Sequence, residues 1–224
     1  MAIVEGRSRQ DTIPSWHATE RAALYRWLAG LFAREPGGGE IARYRGPEMA
    51  GVFAMLEDDP ALAEGANSLR HVLNREVSDD ALAIDLASSF ARLFLGAGGR
   101  RSAPPYESVY SGETGNTHGA ATAEMQTLLR RTGLAPSGDF SAPPDHIAIQ
   151  LTVMAELIGG EELEPSQSMR RQRDFLNRHL LSWTPRFLAA CIEHDPSGFY
   201  AGLAHLTGAF LRRDRNYLTS LSSG

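Results

Sequence analysis

The sequence predicts an all-α fold built as one domain, and three observations predict it. Apolar residues recur at helical spacing through the long segments, as Leu24, Trp27, Leu28, Leu31 and Phe32 do near the start. Proline or a capping residue opens many of these segments and glycine closes several, the punctuation of helix ends. Alternating β-branched runs are absent, and no Asn-Gly or Asp-Gly hairpin turn separates two such runs.

Residues 1–15 read as a loose arm, 16–218 as the helical domain and 219–224 as a tail. The first helix runs from Trp16 to Arg34, and Pro36 with Gly37-Gly38-Gly39 ends it. Short helices follow over Glu40 to Tyr44 and Pro47 to Leu56, the second with proline in its first turn. Asp58 or Asp59 caps a helix begun by Pro60 and reaching Arg75. Ser78 followed by Asp79 and Asp80 starts a helix to Leu95, with Leu82, Leu86, Phe90, Leu93 and Phe94 on its apolar face. Gly96 to Gly115 is a long break. Thr114 or Asn116 caps the next helix, which ends near Arg131, and Gly133 with Leu134 suits a Schellman end. Pro143-Pro144-Asp145 opens a helix to Ile158, with Asp145 as its first-turn acid. Glu164-Pro165 begins one to Leu181, Thr184-Pro185 one to His194, and Asp195-Pro196 one from Ser197 to Arg213.

Composition narrows the function. The chain has 224 residues, 42% hydrophobic and 22% charged, the balance of an ordinary soluble domain. No run approaches the roughly 20 apolar residues of a membrane helix, and Met1 to Thr12 lacks the apolar core of a secretory signal. The single cysteine, Cys191, excludes an internal disulfide, fits a cytoplasmic protein, and reads as a buried inert thiol. A net charge of −5 argues against nucleic acid and permits a basic partner.

Catalytic and metal patterns are thin. The seven histidines are scattered without HExxH spacing. Gly96-Ala97-Gly98-Gly99-Arg100 lacks the Lys-Ser/Thr of a phosphate loop and follows a helix. Asp145-His146 supports an alternative reading as a small hydrolase or metalloprotein. Against it, adjacent helical residues diverge by about 100°, so the two do not naturally bond each other.

Two proline-marked stretches stand out: Pro104-Pro105-Tyr106-Glu107-Ser108-Val109-Tyr110 and Pro143-Pro144-Asp145-His146. The prolines hold the backbone extended and bar a helix at their own positions. Two readings stand. In one, both stretches meet at a groove for another protein's peptide. Tyr106, Tyr110, Phe90 and Phe94 then supply aromatic anchors, and Glu107, Glu113, Asp139 and Asp145 the charge for an arginine-bearing ligand. In the other, the loop is merely packed, with its tyrosines in the core.

Phe90-Ala91-Arg92-Leu93-Phe94, the tyrosine stretch, and Pro144-Asp145-His146-Ile147-Ala148 together resemble the TorD/DmsD/NarJ family in order and spacing. These are cytoplasmic chaperones for molybdenum-cofactor oxidoreductases. The resemblance implies a TorD-like helical bundle that is not an enzyme. It would bind the twin-arginine signal peptide or a terminal segment of a molybdoenzyme precursor until cofactor insertion is complete. Carried over by motif, the peptide-binding residues are Tyr106, Glu107, Ser108, Tyr110, Asp145 and His146, with Leu93 and Phe94 from the first motif. It also implies no required cofactor, weak guanine-nucleotide binding in some members, no membrane insertion, and a monomer or homodimer, sometimes formed by helix exchange. Ala142 departs from the pattern, since the family often carries an acid near that position.

Overall fold

A computed structural model of the chain describes residues 17–111, 119–132, 142–160 and 164–221. Eleven α-helices lie among them, and no strand does. α1 (Ala18–Ala33) starts where the Glu20 carboxylate reaches back to the His17 N–H at 2.9 Å. α2 (Gly38–Arg45) and α3 (Pro47–Asp58) follow, then α4 (Ala63–Leu73) and α5 (Asp79–Phe94). α6 (Glu107–Ser111) is a short helix, α7 is Ala120–Thr132 and α8 is Ile147–Gly159. α9 (Pro165–Phe175) passes into a π-helical turn over Leu176–Leu180. α10 (Thr184–His194) and α11 (Phe199–Ser220) complete the bundle.

α8 is the hub. Ile147, Ala148, Ile149, Gln150, Leu151, Val153, Met154 and Ala155 are all buried, so the helix is enclosed on every side over its first turns. Its main neighbour is α1, while α11 packs on α4 and α10. Aromatic rings knit the centre. Phe94 meets Phe32, Phe187 and Tyr200 with ring centroids at 5.9, 6.0 and 5.3 Å.

Several element bounds differ from expectation. Gly38 and Gly39 do not stop α1 but open α2, because Glu40 caps the Gly37 N–H at 3.2 Å and Gly38 is pressed against Asp80. Pro60 to Leu62 form a turn instead of a first helical turn, since Asp59 Oδ1 accepts the Ala61 N–H at 2.9 Å. α8 begins at Ile147, after the turn containing Pro144 and Asp145, so Asp145 is not in a first helical turn. α11 begins at Phe199 because Gly198 turns the chain at φ 81° and Asp195 accepts from Ser197 and Ala201. It continues past Arg213 because Asp214 and Leu218 are buried. Ser78 caps α5 as expected, its Oγ accepting from the Ala81 N–H at 3.2 Å. Trp16, the Thr114 and Asn116 caps, and the Gly133-Leu134 helix end lie outside the described residues. No described helix is long and apolar enough to cross a membrane.

Candidate functional site

The two proline-marked stretches meet. Pro104 and Pro105 keep the chain out of helix up to Tyr106, and a turn over Pro144 and Asp145, closed by the His146 N–H donating to Pro143 O at 3.0 Å, delivers His146 in extended conformation. Extended backbones can pair, and these form one antiparallel bridge between Tyr106 and His146. The Ile147 N–H donates to Pro105 O at 2.9 Å, and the Glu107 N–H donates to Asp145 O at 3.1 Å. The Tyr106 and His146 rings stand edge to face at 5.1 Å.

Asp145 locks this junction. Its side chain is fully buried, at 0% exposure. Oδ2 accepts the Ser108 N–H at 3.0 Å, near the start of α6, and Oδ1 accepts the Thr122 hydroxyl at 2.9 Å on α7. A buried carboxylate survives only with such donors. His146 is the N-cap of α8, with Nδ1 accepting the Ala148 N–H at 3.0 Å. Burial lowers its pKa to about 4, outweighing the neighbouring Asp145 charge, which raises it. A neutral ring is what the cap requires, because protonated imidazole has no acceptor nitrogen.

A second buried chain of hydrogen bonds holds α6 from below. The Trp183 indole N–H donates to Gln150 Oε1 at 3.0 Å and to His179 O at 2.8 Å. Gln150 Nε2 donates to Glu107 Oε2 at 2.5 Å. Indole can only donate and carboxylate can only accept, so Gln150 has one workable orientation between them. His179 Nδ1, carried on the π-helical turn, lies 3.6 Å from the same carboxylate oxygen. The Arg186 guanidinium reaches Tyr110 O. The Tyr110 ring stacks on Trp183 at 5.6 Å, and burial pushes its hydroxyl pKa up.

The structure therefore joins Tyr106, Glu107, Ser108, Tyr110, Asp145 and His146, but not as an acidic trough. Glu107 and Asp145 point inward and are already engaged. Tyr106, Val109 and Tyr110 remain half-buried, with Ala142, Pro143 and Pro144 equally so on the facing stretch. Leu93 and Phe94 sit in the core; the Ala103 N–H bonds Leu93 O at 2.7 Å and ties the loop to α5. Glu113 and Asp139 lie outside the described residues. Gln150, Thr122, Trp183 and His179 escaped sequence reasoning. Only Gln150 left a signal, as a polar residue in the apolar run after His146.

Asp145 and His146 do not pair for acid–base chemistry, since each is committed elsewhere. Among the described residues no three His, Cys, Asp or Glu side chains gather as a metal site. Burial raises the Cys191 thiol pKa well above its usual value, as expected of an inert cysteine.

A family model described as nitrate reductase delta subunit matches residues 56–189. The chaperone protein TorD of Vibrio cholerae serotype O1 is 35% identical over 207 residues, covering 90% of this chain and 93% of the relative. TorD of Aliivibrio salmonicida is 33% identical over 204 residues, covering 89% and 94%. TorD of Photobacterium profundum matches at 33% over 204 residues with the same coverage. With more than half of its length under that family model and such relatives spanning nearly all of it, the chain belongs to the TorD/NarJ family of chaperones.

Proposed function

We propose that this chain is a maturation chaperone that binds the twin-arginine signal peptide, or a terminal segment, of a molybdenum-cofactor oxidoreductase and retains it until the cofactor is in place. Family membership supports the class. The observation that carries the site is the pairing of Tyr106 with His146, which sets two distant apolar edges side by side. A twin-arginine signal has a basic end followed by an apolar run. The ledge formed by Tyr106, Val109, Tyr110, Pro143 and Pro144 suits the apolar run. Tyrosine contributes rigid contact area there at low entropic cost. The net charge of −5 draws the basic end over a longer range. Tyr106 and Tyr110 are the contact residues in this reading. Glu107, Ser108, Asp145 and His146 position them, and Leu93 and Phe94 support the loop from within.

Calorimetry with a synthetic peptide bearing an arginine pair and a following apolar run tests this. The wild-type chain should bind at micromolar affinity or better. Tyr106→Ala combined with Tyr110→Ala should weaken binding at least tenfold with helicity unchanged. Equal affinity in that variant would remove the ledge from the site, and no binding by the wild type would remove the signal peptide as ligand.

A further inference from the structure

α7 is held to the bundle through the site itself. Its main neighbour is α6, the five-residue helix that carries Val109 and Tyr110 of the ledge. Met125 is fully buried and Leu129 is 9% exposed, with Thr122 and Leu128 half-buried along the same stripe. Ala123, Gln126, Thr127 and Arg130, on the other side, are exposed. α8 has the same 13 residues and buries nine of them, whereas Met125 and Leu129 are the buried ones among the described side chains of α7. A helix of this length is marginal alone, so it depends on its seat.

The polar ties of that seat are light. Thr122 Oγ1 donates to Asp145 Oδ1 at 2.9 Å, which links α7 to the junction. Arg178 Nη2 donates to Glu124 Oε2 at 2.9 Å, but the two side chains are 68% and 47% exposed. An ion pair that open to water holds weakly.

What α7 lays against α6 has the chemistry of the ligand proposed above. The Met125, Leu128 and Leu129 stripe runs directly into Arg130 and Arg131, both exposed. An apolar run beside paired arginines is also what a twin-arginine signal offers, in the opposite chain order. An amphipathic helix laid on an apolar surface is a general mode of peptide recognition.

We propose that α7 is an internal stand-in for the client segment: it covers the α6 side of the ledge and is displaced when the client's apolar run binds. This rests on the signal-peptide reading of the ledge. The client then binds only the fraction of molecules in which α7 has lifted, and its apparent affinity falls by that fraction.

A lock and a release test it, both read by calorimetry with the synthetic arginine-pair peptide. For the lock, Glu124→Cys and Arg178→Cys are joined by a short bismaleimide; the buried Cys191 is shielded from the reagent. The joined form should bind the peptide at least tenfold more weakly than the same variant with its two thiols capped singly. For the release, Met125→Ser should bind at least threefold more tightly than wild type. In the wild type, peptide binding should speed hydrogen exchange in α7 while slowing it in α6. Equal affinity of the joined and capped forms overturns the proposal and leaves the ledge as the binding site. Weaker binding by Met125→Ser, with the remaining helices intact, also overturns it, since α7 would then be a wall of the site. If wild type, capped form and Met125→Ser all fail to bind, the signal-peptide reading falls and the displacement falls with it.

Discussion

His146 shows how one ring can be forced into one protonation state. It caps α8 through Nδ1, so it must stay neutral, and burial holds its pKa near 4. The folded-state value lies below the unfolded one of about 6.5. The unfolded chain therefore takes up the proton first as pH falls. Stability is full above about pH 6.5 and is lost progressively toward pH 4, by an amount on the order of 3 kcal/mol. His146→Asn keeps an oxygen acceptor for the Ala148 N–H and does not titrate. We expect its urea midpoint to vary less with pH than that of wild type between pH 6.5 and 4; an identical slope would mean that another group drives the loss. At this scale the sequence was half legible. Asp145-His146 stood out as a pair, yet Asp145 lies before α8 and not in its first turn: its carboxylate ties the junction, and the imidazole caps the helix.

At the scale of elements, helix periodicity read well and glycine read poorly. Glycines were legible as helix stops, as Gly96 is at φ 82°. Inside helices they do something else. A Cβ on Gly65 of α4 would lie 2.3 Å from Leu206 N, a backbone atom of α11, and one on Gly202 of α11 would lie 2.9 Å from Ser68 Cβ. Helix propensity alone says Gly→Ala stabilises by about 1 kcal/mol. Overpacking against a backbone that cannot move reverses the sign. Gly65→Ala should cost about 2–4 kcal/mol in thermal or urea unfolding, and Gly202→Ala less. A stabilised Gly65→Ala variant would show that α4 and α11 are looser than this crossing. A period of 3.6 residues announces a buried face, but it does not say which partner helix that face meets or how closely.

At the scale of the whole molecule, one buried ion pair closes the bundle. Arg21 on α1 meets Asp214 on α11 at 2.6 Å, and Gln172 on α9 also accepts from Arg21 at 3.0 Å. The Tyr25 hydroxyl donates to the same carboxylate at 2.8 Å, and burial raises its pKa well above the usual value. Removing one partner strands a buried charge, which costs more than never having had the pair. Asp214→Ala should therefore destabilise by about 3–5 kcal/mol in urea unfolding. Arg21→Met combined with Asp214→Leu should recover most of that loss, whereas no recovery would mean that Gln172 and Tyr25 depend on the pair for their own placement. Neither Arg21 nor Asp214 carried any mark in the sequence, because ion pairing across 193 positions follows no local pattern.

By itself the sequence determined the helical class, the position of most helices and the two stretches that distinguish the chain. Periodicity, capping and proline geometry act within a few residues, so they can be read in one dimension. Only the tertiary structure decided that Tyr106 lies against His146 and that Glu107 and Asp145 turn inward. Burial of a polar group is settled by the donors and acceptors that distant segments bring to it, and those become neighbours only when the whole bundle packs.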